Sequence, residues 1–216
     1  EVMSCSRGND YKYYTKAGSN LWGSRWTGAN GVYGYDSAGN SIAVYTYSVD
    51  SNNNATITKY NGNASYVYIP DQIDGYTVTT IGENAFKNNG LREVVIPDSV
   101  LHIGKSAFEK CTNLRSVNLS DKLKTIGSYA FSDCSSLTGI DIPDTVTGIG
   151  TYTFYNCTVL TDVRLSEFML DIPNRAFANC TSLNTIELPD AITSISIYAF
   201  YNCTALENVK LPKGLT

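Results

Sequence analysis

The chain is poor in charge. Asp, Glu, Lys and Arg make up 17% of its 216 residues, and 16 basic against 20 acidic side chains leave a net charge of −4. A nucleic-acid binder needs a basic stripe, and this balance argues against one. One histidine stands in the whole sequence, His102. Any Ser-His-Asp or Cys-His arrangement must therefore use it. It lies between Leu101 and Ile103 at a position expected on the surface. The six cysteines form no CxxC pair, and no nucleophile elbow, zinc-helix motif or phosphate loop is present. Nor does any apolar run approach the roughly 18 residues that span a bilayer as a helix. These absences leave no catalytic residues to name, no metal site and no cofactor, and the chain reads as a non-enzyme.

What is abundant is Ser, Thr, Asn and Tyr, with 16 tyrosines and 17 glycines. Such composition suits extended β structure with adaptable surface hydrogen bonding more than long amphipathic helices. It is also ordered in period. An Ile-Gly-x-x-Ala-Phe box recurs at Ile81, Ile103, Ile126, Ile149, Ile172 and Ile195, in steps of 22, 23, 23, 23 and 23 residues. Cysteine keeps the same clock at Cys111, Cys134, Cys157, Cys180 and Cys203. Pro173 and Ser196 depart from the box glycine, and Thr153 from the box alanine.

Between boxes runs Leu-x-x-Val-x-Leu/Ile, often followed by Pro. It reads Leu91, Val94, Ile96, Pro97 in one unit and Leu183, Ile186, Leu188, Pro189 in another. The Val-x-Leu part has period two, so both side chains face one side of a strand. Proline then stops the strand because it cannot donate to a ladder. A shorter extended piece follows, such as Val146 to Ile149. The Ala-Phe-x-x-Cys part, with Phe and Cys three apart, is spaced for a helical or 3₁₀ turn. One unit of 23 residues cannot bury a core alone, so the units must stack.

Box, cysteine, strand and proline recurring in phase over roughly residues 41–216 resemble the BspA-like leucine-rich repeats of bacterial and some protozoan surface proteins. The resemblance implies a right-handed repeat solenoid, mainly β, with short helical or 3₁₀ turns and an N-terminal β cap. It further implies a secreted or surface-attached protein of a host-associated bacterium, acting in adhesion to host or cell-surface proteins, extracellular-matrix proteins among them.

Three regions follow. Residues 1–40 form an aromatic leader rich in Gly, Asn and Ser that holds Trp22 and Trp26. Residues 41–82 form a β-rich cap with a degenerate first repeat, in which 45–49 and 55–60 are two strands of a hairpin. Residues 83–216 carry the repeats, the last one incomplete. The chain stops inside a repeat, which reads as a fragment of a longer array, the other reading being a truncated capping unit. Val2-Met3-Ser4-Cys5 is faintly similar to the end of a bacterial lipoprotein signal, against the plainer reading of a surface-exposed terminus.

The cysteine column reads as a ladder of buried free thiols acting as small hydrophobes. Disulfides between coils and metal binding stay open beside it. Asn156-Cys157-Thr158, Asn179-Cys180-Thr181 and Asn202-Cys203-Thr204 match the glycosylation sequon, but their phase with the repeat points to a structural turn.

Partners of solenoids commonly use the extended concave sheet. The outward positions there form three columns. The first runs Tyr68, Val95, Asn118, Asp141, Arg164, Glu187, Lys210, and the second Tyr66, Glu93, Ser116, Gly139, Asp162, Thr185, Asn208. The third runs Ser65, Arg92, Arg115, Thr138, Thr161, Asn184, Glu207. Tyr and Arg are enriched in binding anchors. The candidate site is therefore Tyr66, Tyr68, Arg92 and Arg115, extended by Asn118, Asp141, Arg164 and Glu187. Two alternatives stand: a glycan-binding module using exposed aromatics of residues 1–80, and a structural spacer in a larger surface protein.

Overall fold

The computed structural model describes residues 33–35 and 41–215. Trp22, Trp26, Cys5 and the rest of 1–32 lie outside the described residues. The described part starts with a short antiparallel pair, β1 (Tyr33–Tyr35) and β2 (Ser41–Ala43), then a hairpin of β3 (Tyr45–Val49) and β4 (Asn54–Tyr60). From there it winds as a solenoid. Its strands are β5 (Tyr66–Tyr68), β6 (Gln72–Ile73), β7 (Tyr76–Ile81), β8 (Glu93–Val95), β9 (His102–Ile103), β10 (Ser116–Asn118), β11 (Thr125–Ile126) and β12 (Gly139–Asp141). They continue as β13 (Asp162–Arg164), β14 (Asp171–Ile172), β15 (Thr185–Glu187), β16 (Ser194–Ile195) and β17 (Asn208–Lys210).

Each coil contributes to two parallel ladders. The three-residue strands β5, β8 and β10 pair in register, Val67 beside Val94 beside Val117, and β12–β13 and β15–β17 carry the same ladder onward. The second ladder runs β4, β7, β9, β11 and then Ile149 by a single bridge. It resumes at β14–β16. The gap has a covalent cause. Gly104, Gly127 and Gly150 donate their N–H to Ile81, Ile103 and Ile126 one coil back, at 2.7, 2.8 and 2.8 Å, and Ser196 donates to Ile172 at 2.8 Å. Pro173 holds that position in the coil between and has no N–H to give.

The box glycines serve close approach, not positive φ. A Cβ on Gly104 would stand 2.8 Å from the Glu83 nitrogen, and one on Gly127 would stand 2.6 Å from the Lys105 nitrogen. Thr153, at a box alanine position, is fully buried and satisfies its hydroxyl on the Gly150 carbonyl at 2.6 Å.

The Ala-Phe-x-x-Cys segment differs from expectation. It is a run of turns, and no helix of any kind occurs among the described residues. Hydrogen bonding explains why. In one coil the N–H groups of Ala107, Glu109 and Cys111 close turns on Gly104, Ser106 and Phe108, at 3.3, 3.1 and 3.1 Å. The alternate N–H groups of Ser106, Phe108 and Lys110 instead reach Ser128, Ala130 and Ser132 in the next coil, at 2.9, 2.8 and 2.8 Å. A helix would spend every N–H within its own turn. Here half of them tie coil to coil. Two residues per coil consequently take positive φ, as at Ser106 (54°) and Lys110 (59°). The second of these positions is Asn88, Lys110, Asp133, Asn156, Asn179 and Asn202 along the stack. Asn and Asp tolerate the left-handed region better than other L-residues. The Asn-x-Thr triplets are thus turn chemistry: Asn156 Nδ2 donates to Asp133 Oδ1 at 2.7 Å, and Thr181 Oγ1 donates to the Thr158 carbonyl at 3.2 Å.

The core is a set of columns. Phe86, Phe108, Phe131, Phe154, Phe177 and Phe200 stack with centroids 4.9, 5.3, 5.6, 5.3 and 5.5 Å apart. At the N-terminal end the hairpin continues the column, with the Tyr60 ring stacked 4.9 Å from Phe86 and Tyr45 5.4 Å from Tyr60. Burial pushes the Tyr60 hydroxyl up to about 12. The cysteines stand beside this column as free thiols, four buried and Cys203 partly so. Each sulfur donates to a phenylalanine carbonyl of the preceding coil, from Cys111 to Phe86 at 3.1 Å through Cys203 to Phe177 at 3.1 Å. Among the described residues the thiols do not pair, because each points at its neighbour's backbone rather than at the neighbouring sulfur.

Candidate functional site

Strand geometry alone places the candidate residues. In β5 the central Val67 is buried, and Tyr66 and Tyr68 on either side are exposed. The same register puts Tyr68 beside Val95 beside Asn118, Asp141 beside Arg164, and Glu187 beside Lys210. The third column is held by backbone bonds from Arg92 to Ser65 and from Arg115 to Arg92, each 2.7 Å. Tyr66 (48% exposed) and Tyr68 (40%) therefore share one strand, with exposed Arg92 and Arg115 on the two coils that follow. Adjacent strands are about 4.8 Å apart. Among the described residues no carboxylate lies within ion-pair distance of Arg92 or Arg115.

Of the remaining candidates, Asp141, Arg164 and Glu187 are engaged in ion pairs. Arg164 reaches Asp141 Oδ1 at 3.0 Å and Asp144 Oδ2 at 3.1 Å, and donates to the Ile142 carbonyl at 2.9 Å. Lys210 stands 4.0 Å from Glu187. All five groups of these pairs are well exposed, so the pairs contribute at most about 1 kcal/mol each. Asn118 is exposed on β10 between the two groups. A cleft of about 340 Å³ opens along this stretch, bounded by Arg164, Glu167, Glu187, Asp190 and Lys210. It mixes two cations with three carboxylates, so it offers no strong field of one sign.

His102 is exposed on β9, with Nδ1 2.9 Å from the Thr125 hydroxyl. No group of three or more His, Cys, Asp or Glu side chains that could hold a metal ion occurs among the described residues. Burial raises the thiols, Cys111 to about 12 and Cys203 to about 11. They are therefore poor nucleophiles at neutral pH. Of the aromatics in residues 41–80, Tyr45 and Tyr60 are buried in the core and cannot serve a ligand.

A second surface was not singled out from sequence. Its residues occupy the first positive-φ position of successive coils: Tyr129 (59°), Tyr152 (59°), Arg175 (52°) and Tyr198 (61°). The rings of Tyr129 and Tyr152 stack at 4.7 Å. The Arg175 guanidinium lies between Tyr152 and Tyr198, 5.5 and 4.8 Å from their centroids, and donates to the Tyr152 hydroxyl. Tyr155 and Tyr201 flank the ladder, with centroids 5.6 Å from Tyr152 and Tyr198 respectively. Holding a bulky L-residue at positive φ costs about 1–2 kcal/mol. A stacked pair returns about 0.5–1.5 kcal/mol and an exposed cation–π contact about 0.5–1 kcal/mol. The contacts offset the strain without exceeding it. The signal in sequence was the fourth box position, which reads Tyr, Tyr, Arg, Tyr from the third box onward.

No helix among the described residues is long and apolar enough to cross a membrane. No curated protein matches the chain. Among solved structures the chain is similar to the T. pallidum leucine-rich repeat protein, with 34% identity and a TM-score of 0.76 over 79% of this chain and 81% of that one. A leucine-rich repeat protein from Bacteroides ovatus is 29% identical with a TM-score of 0.63, over 81% of this chain and 53% of that one. One from Eubacterium ventriosum is 25% identical with a TM-score of 0.63, over 85% and 52%. The chain spans about half the length of these last two. The profile of the BspA-type leucine-rich repeat region matches residues 79–207 in six copies. Repeat period, stacked strands and profile agree: the chain belongs to the BspA-type leucine-rich repeat family.

Proposed function

We propose that this chain is a non-catalytic binding module of a secreted or surface-attached bacterial protein, and that it recognises a host or cell-surface protein through its strand ladder. The observation that carries the reading is the contrast within that ladder. Inward positions repeat one apolar chemistry, while the outward ones vary along the stack, from Tyr66 and Tyr68 through Arg92 and Arg115 to Asn118. A scaffold held constant under a varied face is what recognition of an irregular protein surface requires. The N-terminal half of the face concentrates Tyr and Arg, the residue types that anchor interfaces. Membership of a repeat family of binding and adhesion proteins points the same way.

The test is binding to an array of immobilised extracellular-matrix proteins and glycans. The chain is run beside a variant with Tyr66, Tyr68, Arg92 and Arg115 changed to Ala. A saturable protein signal lost in the variant supports the assignment. An unchanged signal removes these four residues from the site. Silence on every protein favours a spacer role.

A further inference from the structure

The Tyr–Arg ladder on the turn face is not needed by the strand-ladder site, and stability does not select it. Asn84 fills the same positive-φ position in the first coil, and asparagine takes that conformation at less strain than tyrosine or arginine. From Tyr129 onward the chain nevertheless holds bulky residues there.

The charge pattern is equally selective. The turn segments 149–161, 172–186 and 195–206 contain no Asp or Glu, although the chain has 20, and their one charged side chain is Arg175. The first three coils differ, with Glu83 and Lys87, then Lys105, Glu109 and Lys110, then Asp133. Among the described residues Arg175 makes one hydrogen bond, to the Tyr152 hydroxyl, and has no carboxylate partner. A guanidinium carries five N–H donors in a planar fork that matches a carboxylate. The fork is held in place by the two rings that sandwich it.

Tyr198 and Tyr201 are 47% and 58% exposed, and their rings stand at 85° to one another. One ring of such a pair keeps both faces clear of the other. Asn156, Asn179 and Asn202 follow the ladder at coil spacing; with the Asn156 Nδ2 spent on Asp133 and the Asn202 Nδ2 on Asn179, they leave the Asn179 side-chain N–H and the Asn156 and Asn202 amide oxygens beside it. Aromatic faces, amides and hydroxyls at a regular axial repeat suit a polymer of sugar rings.

We propose that Tyr152, Tyr155, Arg175, Tyr198 and Tyr201 form a second binding site, for a carboxylate-bearing glycan. Arg175 pairs with a uronate carboxylate, and the exposed tyrosines stack on the C–H faces of adjacent pyranose rings. This site is independent of the strand ladder, so either assignment can fail alone.

Oligogalacturonate tests it by titration calorimetry, beside its methyl-esterified form and dextran sulfate. The ester keeps the rings and loses the charge, whereas the sulfate keeps charge on a different sugar. Binding to oligogalacturonate is expected, weakened about tenfold or more by Arg175→Gln, by Tyr201→Ala and by methyl esterification. Tyr66→Ala with Tyr68→Ala leaves it unchanged. Tyr201 lies outside the core, so its variant reports on the site even if Arg175→Gln disturbs the ladder. No binding, binding indifferent to Arg175→Gln and Tyr201→Ala, or tighter binding of dextran sulfate through the same residues overturns the proposal.

Discussion

Gly127→Ala measures the backbone contact on which the stacking depends. The new methyl would meet the Lys105 nitrogen at 2.6 Å, the Gly104 carbonyl carbon at 2.7 Å and its oxygen at 2.9 Å. Carbon atoms rest about 3.5–4.0 Å from their neighbours. All three partners are backbone, so no rotamer change relieves the overlap. Two coils must separate by roughly 1 Å, beside the 2.8 Å bond from the Gly127 N–H to the Ile103 carbonyl. Overpacking of this kind costs about 1–3 kcal/mol. Removing a glycine from the unfolded chain returns about 0.4–1 kcal/mol. The net expectation is destabilisation by about 1–2 kcal/mol. Gly148→Ala is the control. Its methyl would find only the Asp171 carboxylate, at 3.9 Å, and Gly148 has no positive φ to lose. It should stabilise by about 0.4–1 kcal/mol. In thermal unfolding followed by circular dichroism, a chain of this size shifts by about 2–4 °C per kcal/mol. The variants should therefore move in opposite directions and end several degrees apart. Equal shifts, or a more stable Gly127→Ala, would refute close approach as the reason for the box glycine.

Three other outcomes follow from the columns. Phe131→Ala removes a ring stacked on both sides, on Phe108 and Phe154. It should cost about 3–5 kcal/mol in urea denaturation, and a loss under 1 kcal/mol would contradict the stack. Lys110→Asn places asparagine at φ 59°, where four of the six coils already carry it. The expected gain is up to about 1 kcal/mol, read as a higher melting temperature, and a lower one would count against the strain argument. The thiols have folded pKa values raised by burial, Cys111 to about 12 and Cys203 to about 11, against about 8.5 in an unfolded chain. The neutral form is favoured by folding, so this stability is complete below about pH 8.5 and falls as pH rises toward 11–12, by up to about 1.4 kcal/mol per unit for buried Cys111 and by less for half-exposed Cys203, which solvent screens. Denaturation midpoints at pH 8 and pH 10, in the wild type and a Cys111→Ala, Cys134→Ala variant, check the sign. Iodoacetamide at pH 8 should label Cys203 before Cys111, Cys134, Cys157 and Cys180.

The repeat was legible because period carries information that no single residue does. Six boxes and five cysteines in phase leave one way to stack, and the outward columns read from spacing match the registers Tyr68–Val95–Asn118 and Glu187–Lys210. The turn segment was less legible. Phe and Cys three apart fit a helical turn and a run of β-turns alike, and only the alternate N–H bonds to the next coil separate them. The break at Pro173 is readable once the glycine N–H is known to bridge coils. The pairing of Arg164 with Asp144 was hidden because Asp144 belongs to none of the outward columns. The Tyr–Arg ladder was hidden for another reason. Tyrosine at the fourth box position gives no sign of positive φ, and attention to strand faces passes over turns.

Side-chain oxidation by hydroxyl radicals tests the binding account most directly. The chain is footprinted alone and with whichever matrix protein gives the strongest array signal. Tyr66 and Tyr68 should lose reactivity on complex formation, while Tyr201 on the turn face keeps its own. Full reactivity of Tyr66 and Tyr68 in the saturated complex, with protection elsewhere, would contradict recognition through the strand ladder.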